Sequence, residues 1–180
     1  MLHEDVTHQI ALQKWIKARN LREEEFIEQV TAKSENNFMY LRYVLPAISE
    51  GIYDDLKLKQ LPQGLQEYYQ THWVRMGMDQ ASQERMVIVL FILVEIGTPI
   101  PCEMIVEIAG EEDDYEVRRI LEQNWREYLK QQKIEQELCY SLYHTSFLDF
   151  LKKKRDLAST RRLFQDVNQK IVDYLEREMN

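Results

Sequence analysis

Tyr143-His144-Thr145-Ser146-Phe147-Leu148-Asp149-Phe150-Leu151 joins two different hydrophobic rhythms. Just before it, Leu138-Cys139-Tyr140-Ser141-Leu142-Tyr143 alternates apolar with small or polar residues, the period of a half-buried strand. From Thr145 onward, Phe147, Leu148, Phe150 and Leu151 recur at helical spacing, with Thr145 or Ser146 as candidate N-cap. His144 therefore falls where a strand ends and a helix begins. An imidazole beside the positive end of a helix dipole is well placed to contact an anion. The competing reading is that His144 packs into the strand–helix corner or bonds a local carbonyl.

Upstream of that junction the order is helix, helix, helix, hairpin. Gln83 to Glu95 is a strongly apolar helix, and Gly97-Thr98-Pro99-Ile100-Pro101 reads as a turn. Cys102 to Ala109 is a short helix stopped by Gly110, and Asp113 to Leu129 a longer one. Lys133-Ile134-Glu135 and Leu138 to Leu142 read as two short strands. This is the order of a winged helix-turn-helix, placed at residues 82–155. Downstream, Lys152-Lys153-Lys154-Arg155 is the only basic run, with Arg161 and Arg162 soon after. It ends a helix, where cations are favourable in any case, so it is read as a solvated face or as an anion or partner patch. A final amphipathic helix fills residues 156–180, with Leu163, Phe164, Val167, Ile171, Tyr174 and Leu175 on one face.

The N-terminal residues 1–60 read as a small helical bundle. Val6, Ile10, Leu12, Trp15 and Ile16 space a first helix, and Arg22 to Ala32 a second whose first turn holds Glu23, Glu24 and Glu25. Ser34 or Asn36 is placed to cap a third, Asn37 to Glu50, turning Phe38, Leu41, Val44, Leu45 and Ile48 inward, kinked at Pro46 and ended by Gly51. Residues 61–81 form a linker helix that starts after Leu61-Pro62-Gln63-Gly64-Leu65 and carries Leu65, Tyr68, Tyr69, Trp73 and Met76. Its aromatics at three- and four-residue spacing read as core before they read as a base-stacking surface.

The whole chain of 180 residues, 44% hydrophobic and with five glycines and four prolines, is that of a mainly α globular protein. No eighteen-residue apolar run and no signal-peptide pattern is present, and two separated cysteines, Cys102 and Cys139, read as free thiols of a reducing, cytoplasmic compartment. No phosphate-cradling glycine loop, nucleophile elbow or metal-binding histidine motif occurs, so neither enzyme activity nor a bound metal is expected. Glu111-Glu112-Asp113-Asp114 lacks the alternating ligands of a calcium loop and suits the start of the helix that follows. A net charge of −8 opposes attraction to nucleic acid or anionic membrane. The third helix of the winged unit sets Asp113, Asp114, Glu116, Glu122 and Glu127 against Arg118, Arg119, Arg126 and Lys130, a net of −1, with acids at the end that would approach the bases.

Four pieces in one order resemble the region C-terminal to the nucleotide-binding core in STAND-type NTPases of the NACHT and NB-ARC kind. Ser34-Glu35-Asn36-Asn37-Phe38-Met39-Tyr40-Leu41 is similar to that family's s-e-G-N-F-L-Y-L segment, with Asn36 in place of glycine. Leu61-Pro62-Gln63-Gly64-Leu65 with Tyr68, Tyr69 and Trp73 is similar to its L-P-x-G-L-x-x-Y-Y-x-x-x-W linker. Residues 83–143 follow its winged-helix rhythm, and Tyr143 to Leu151 is similar to its y-H-x-S-F-x-D-F-L signature.

The resemblance implies a winged helix that folds over a P-loop core. His144 would contact the ADP phosphate and hold the closed state, until ATP exchange releases the lid for homo-oligomerisation. ADP or ATP then belongs to a parent protein and not to this chain, whose intramolecular partner is that core. The P-loop is missing here, and the expectation is a piece of a longer protein rather than a natural remnant. The alternative reading is a winged-helix transcription regulator gripping DNA phosphates through Lys152, Lys153, Lys154 and Arg155. A third is a scaffold whose last helix docks in a partner's groove.

Overall fold

Residues of high helix propensity, with few glycines and prolines between them, build nine α-helices and one small antiparallel sheet among the described residues. The computed structural model describes residues 2–111 and 114–179, with side chains from residue 8. The chain divides into two compact units, Met1–His72 and Trp73–Asn180. That division falls inside the segment read as a linker helix.

In the first unit α1 (Leu2–Ala18) packs against α3 (Phe38–Ser49), and α2 (Glu23–Lys33) lies between them in sequence. Trp15 meets the edge of Phe26 at 6.0 Å, and Val30, Tyr43, Val44, Ala47 and Ile48 complete the core. Asn37 is the N-cap of α3, accepting from the Met39 N–H at 3.0 Å, where Ser34 or Asn36 had been read. Asn36 instead occupies the left-handed region at φ 61°, which asparagine tolerates better than most side chains. The helix runs through Pro46 and closes at Gly51 (φ 79°), whose N–H reaches the Ile48 carbonyl while that of Ile52 reaches Ala47. Two apolar residues read as inward are not: Phe38 is 74% and Ile10 49% exposed, because burial in these helices centres on Trp15, Ile16, Tyr40 and Tyr43. Val6 lies outside the described side chains.

The irregular segment after α3 has its carbonyls held by side chains. Trp15 Nε1 donates to Tyr53 O at 3.2 Å, Arg19 Nε to Leu56 O at 2.8 Å, and Lys33 Nζ to Leu61 O at 2.7 Å. Tyr40 Oη donates to Pro62 O at 2.5 Å, where α4 (Gly64–Arg75) begins. Leu65, Tyr68, Tyr69 and Trp73 are all buried, as their spacing implied.

The second unit is built around α5 (Glu84–Ile96), apolar on every side and buried from Val89 to Val94. Against it pack α6 (Cys102–Ala109), α8 (Thr145–Arg155) and α9 (Ala158–Met179). Phe91 meets the edge of Phe164 at 6.1 Å, and Lys170 Nζ donates to the last carbonyl of α6, at Ala109, at 2.7 Å. Three strands, β1 (Ile100–Pro101), β2 (Leu129–Ile134) and β3 (Glu137–Leu142), form an antiparallel sheet in the order β1-β3-β2. Ile100 pairs with Tyr140, so part of the stretch read as a turn is a strand.

The helix read as Asp113 to Leu129 is the largest departure. Regular helix α7 covers only Tyr115–Arg119, followed by a π turn at Ile120–Asn124 and a 3₁₀ turn at Arg126–Tyr128. Leu129 and Lys130 pair with Leu142 and Ser141, so the sheet takes the residues that would have formed the last helical turn. Val117, Ile120, Leu121, Trp125 and Tyr128 are still all buried, because the wider π turn keeps Trp125 facing the core. The hairpin turn is Glu135-Gln136, both with positive φ (48° and 76°), in place of a strand ending at Glu135.

Candidate functional site

β3 and α8 meet at His144 as the alternation of residues 138–143 and the spacing of 145–151 require. Tyr143 N–H donates to Tyr128 O at 2.9 Å, anchoring the exit of the strand. His144 itself is the N-cap residue (φ −114°, ψ 131°), in place of Thr145 or Ser146, and its carbonyl accepts from Phe147 and Leu148 at 3.1 and 3.0 Å. Its side chain does not cap the helix. The imidazole is half-buried with Nε2 shielded, and the exposed Tyr143 ring meets it edge-on at 4.1 Å. Below the junction, Phe147, Tyr128 and Trp125 form a triangle of rings, 4.6 Å, 5.3 Å and 5.5 Å on its sides, an aromatic base under the start of α8.

The basic run does not form one face. Lys152 and Lys153 are exposed, Lys154 is buried at 7%, and Arg155 is half-buried. Lys154 continues the face of Phe147, Phe150 and Leu151, a spacing visible in the sequence but masked by the run of like charges. Its ammonium lies 5.1 Å from the centre of the Trp73 ring and 5.6 Å from that of Phe150. Burial pushes its pKa down, and nearby Asp79 partly offsets this. Asp79 also accepts from Trp73 Nε1 at 2.8 Å, so one carboxylate serves both the ring and its cation. Arg155 pairs with Glu95 at 3.3 Å and Asp156 at 3.1 Å, and stands 5.3 Å over Phe164.

The sequence segments that carry the family likeness meet pairwise within each unit. In the first, Tyr40 holds Pro62, and Glu35 lies within 3.4 Å of Gln63 Nε2 and directly over Gly64. In the second, Trp73 meets Phe150 edge-on at 5.8 Å and Trp125 at 6.3 Å. The tryptophan, Lys154 and Asp79 were not singled out together from the sequence, since six residues and a whole domain separate them.

Of the four cations read on the third helix, Arg118 and Arg119 are engaged in ion pairs, while Arg126 and Lys130 are exposed. Arg118 binds Asp114 at 2.5 Å and Glu103 at 3.0 Å, and Arg119 binds Glu116 at 2.6 Å. Both thiols are buried and pushed up by burial, Cys102 to about 11, which leaves little reactive thiolate. Among the described residues no group of three or more candidate ligands could hold a metal, and no helix is long and apolar enough to cross a membrane. Glu112 and Asp113 of the acidic run lie outside the described residues. No protein-family model matches the chain, and no curated protein or solved structure is significantly similar to it.

Proposed function

We propose that this chain is the helical and winged-helix region of a cytoplasmic STAND-type signalling NTPase, a non-catalytic module that closes over the nucleotide core of its own protein and frees it for assembly. The observation that carries the reading is His144: a half-buried imidazole at the N-cap of an eleven-residue helix, two residues after a sheet strand ends. Backbone N–H groups of a helix's first turn have no partner within the helix, so that end favours a phosphate, and an imidazole beside it adds a donor. The order α5-β1-α6-α7-β2-β3, with β1 on the outer side of β3, supports a winged helix at residues 82–155. The contacts of Tyr40 with Pro62 and of Trp73 with Phe150 support treating the four family-like segments as a set.

In this mechanism the lid is one state of a two-state switch, and ADP favours it by touching His144 in the closed form only. His144→Ala in the parent protein is expected to lower the ADP retained through purification and to raise the oligomeric fraction by light scattering. Unchanged nucleotide content with unchanged mass would overturn the proposal. A transcription-factor role loses Arg118 and Arg119 of the third helix, which are spent on carboxylates, and is left there with the exposed Arg126 and Lys130.

A further inference from the structure

The sequence holds ten tyrosines. Seven are buried (Tyr40, Tyr43, Tyr53, Tyr68, Tyr69, Tyr128 and Tyr140) and Tyr174 is half-buried. Two are exposed, Tyr115 at 68% and Tyr143 at 52%. Tyr143 lies against His144 between apolar and neutral neighbours. Tyr115 follows Glu111-Glu112-Asp113-Asp114 and precedes Glu116, so acids occupy every position from four before it to one after it. An exposed phenol in that setting has no role in the core and none in the site at His144.

We propose that Tyr115 is a phosphoacceptor for a tyrosine kinase whose substrate groove is basic. Charge pattern is a principal means by which kinases choose among exposed hydroxyls, and five flanking carboxylates are a strong pattern. The step is an in-line transfer: Tyr115 Oη attacks the γ-phosphorus of a magnesium-bound nucleoside triphosphate. The new O–P bond forms as the bond to the β-phosphate oxygen breaks, nucleoside diphosphate leaves, and the phenolic proton passes to the kinase's base. A kinase groove takes its peptide extended, so α7, five residues long and followed by a π turn, has to open locally and lift Val117 from the core. The product has partners at hand. Arg118 and Arg119 stand three and four residues on, the spacing at which side chains on one helical turn meet. A phosphate ester carries about −1.5 to −2 charge and binds guanidinium more strongly than a carboxylate does. It would draw Arg118 away from Glu103 on α6, linking the modification to the packing of α6 and α7. The proposal stands apart from the lid reading, since neither His144 nor a nucleotide core takes part.

The test is to incubate the full chain with magnesium ATP and a tyrosine kinase selected on the free peptide spanning residues 110–120. Mass spectrometry should place one phosphoryl group on Tyr115, absent in Tyr115→Phe and retained in Tyr143→Phe. Modification of the peptide but not of the folded chain would overturn the proposal. So would modification at Tyr143 instead, or failure of every acid-directed kinase on peptide and chain alike.

Discussion

His72 continues a stack of rings, with Tyr43 and Tyr68 5.4 Å apart and Tyr68 and His72 6.3 Å apart, both pairs within 11° of parallel. Burial lowers its pKa from 6.5 to about 4. Between those values the unfolded chain binds a proton that the folded chain refuses, so folding stability falls as pH drops from the upper to the lower. The loss is bounded by about 3 kcal/mol, from 1.36 kcal/mol per unit. Urea unfolding at about pH 7 and about pH 4 should show this loss, and His72→Phe should remove most of that residue's share. An equal slope in the variant would place the acid sensitivity elsewhere. At Gly64 the constraint is backbone conformation: φ is +66°, and a Cβ would sit 2.4 Å from the Glu35 carboxylate. Gly64→Ala should cost about 1–2 kcal/mol from the left-handed backbone alone. Adding Glu35→Ala relieves the clash and leaves that cost in place, a difference that thermal melts of the single and double variants would read.

At the scale of elements, α8 carries a lysine in its buried face. A buried cation gains little over an apolar side chain of like volume, whereas stripping its partner is costly. Lys154→Met should therefore leave stability unchanged or raise it, while Asp79→Ala should cost about 1–2 kcal/mol, because the Trp73 N–H loses its acceptor and Lys154 its nearest negative charge. Denaturant midpoints of the two variants decide between this and a lysine held for binding. The same element shows how far the sequence could be read. The junction at His144 was legible, since period two changes to period 3.6 within three residues, and Cys102–Ala109 was legible from its glycine stop. The third helix was not. Apolar residues at 117, 120, 121, 125, 128 and 129 fit one long helix, but the chain passes into a π turn at Ile120 and a 3₁₀ turn at Arg126 before Leu129 pairs with Leu142, a long-range event. Lys154 was hidden for a related reason: its neighbours in sequence are solvated, and its neighbours in space come from Trp73 and Phe150.

The whole molecule carries a net charge of −8 and a pI near 5.1, so its long-range field repels a polyanion before any contact forms. DNA binding would have to come from a local patch, and the run at the end of α8 presents two of its four cations, Lys152 and Lys153. Each neutralised phosphate steepens the fall of log affinity with log salt by about 0.9. Fluorescence anisotropy of a mixed-sequence duplex should therefore stay flat at physiological salt. Any binding left at low salt should lose about 2 units of slope in Lys152→Ala/Lys153→Ala and almost none in Lys154→Ala/Arg155→Ala. The second pair is the informative one. A loss of slope there would mean that Lys154 leaves Trp73 and that Arg155 leaves Glu95 to meet phosphate, which would turn α8 from a support of the His144 junction into a nucleic-acid contact. An unchanged slope keeps both cations in the fold, Lys154 beside the Trp73 ring and Arg155 on Glu95, with α8 a support of the His144 junction.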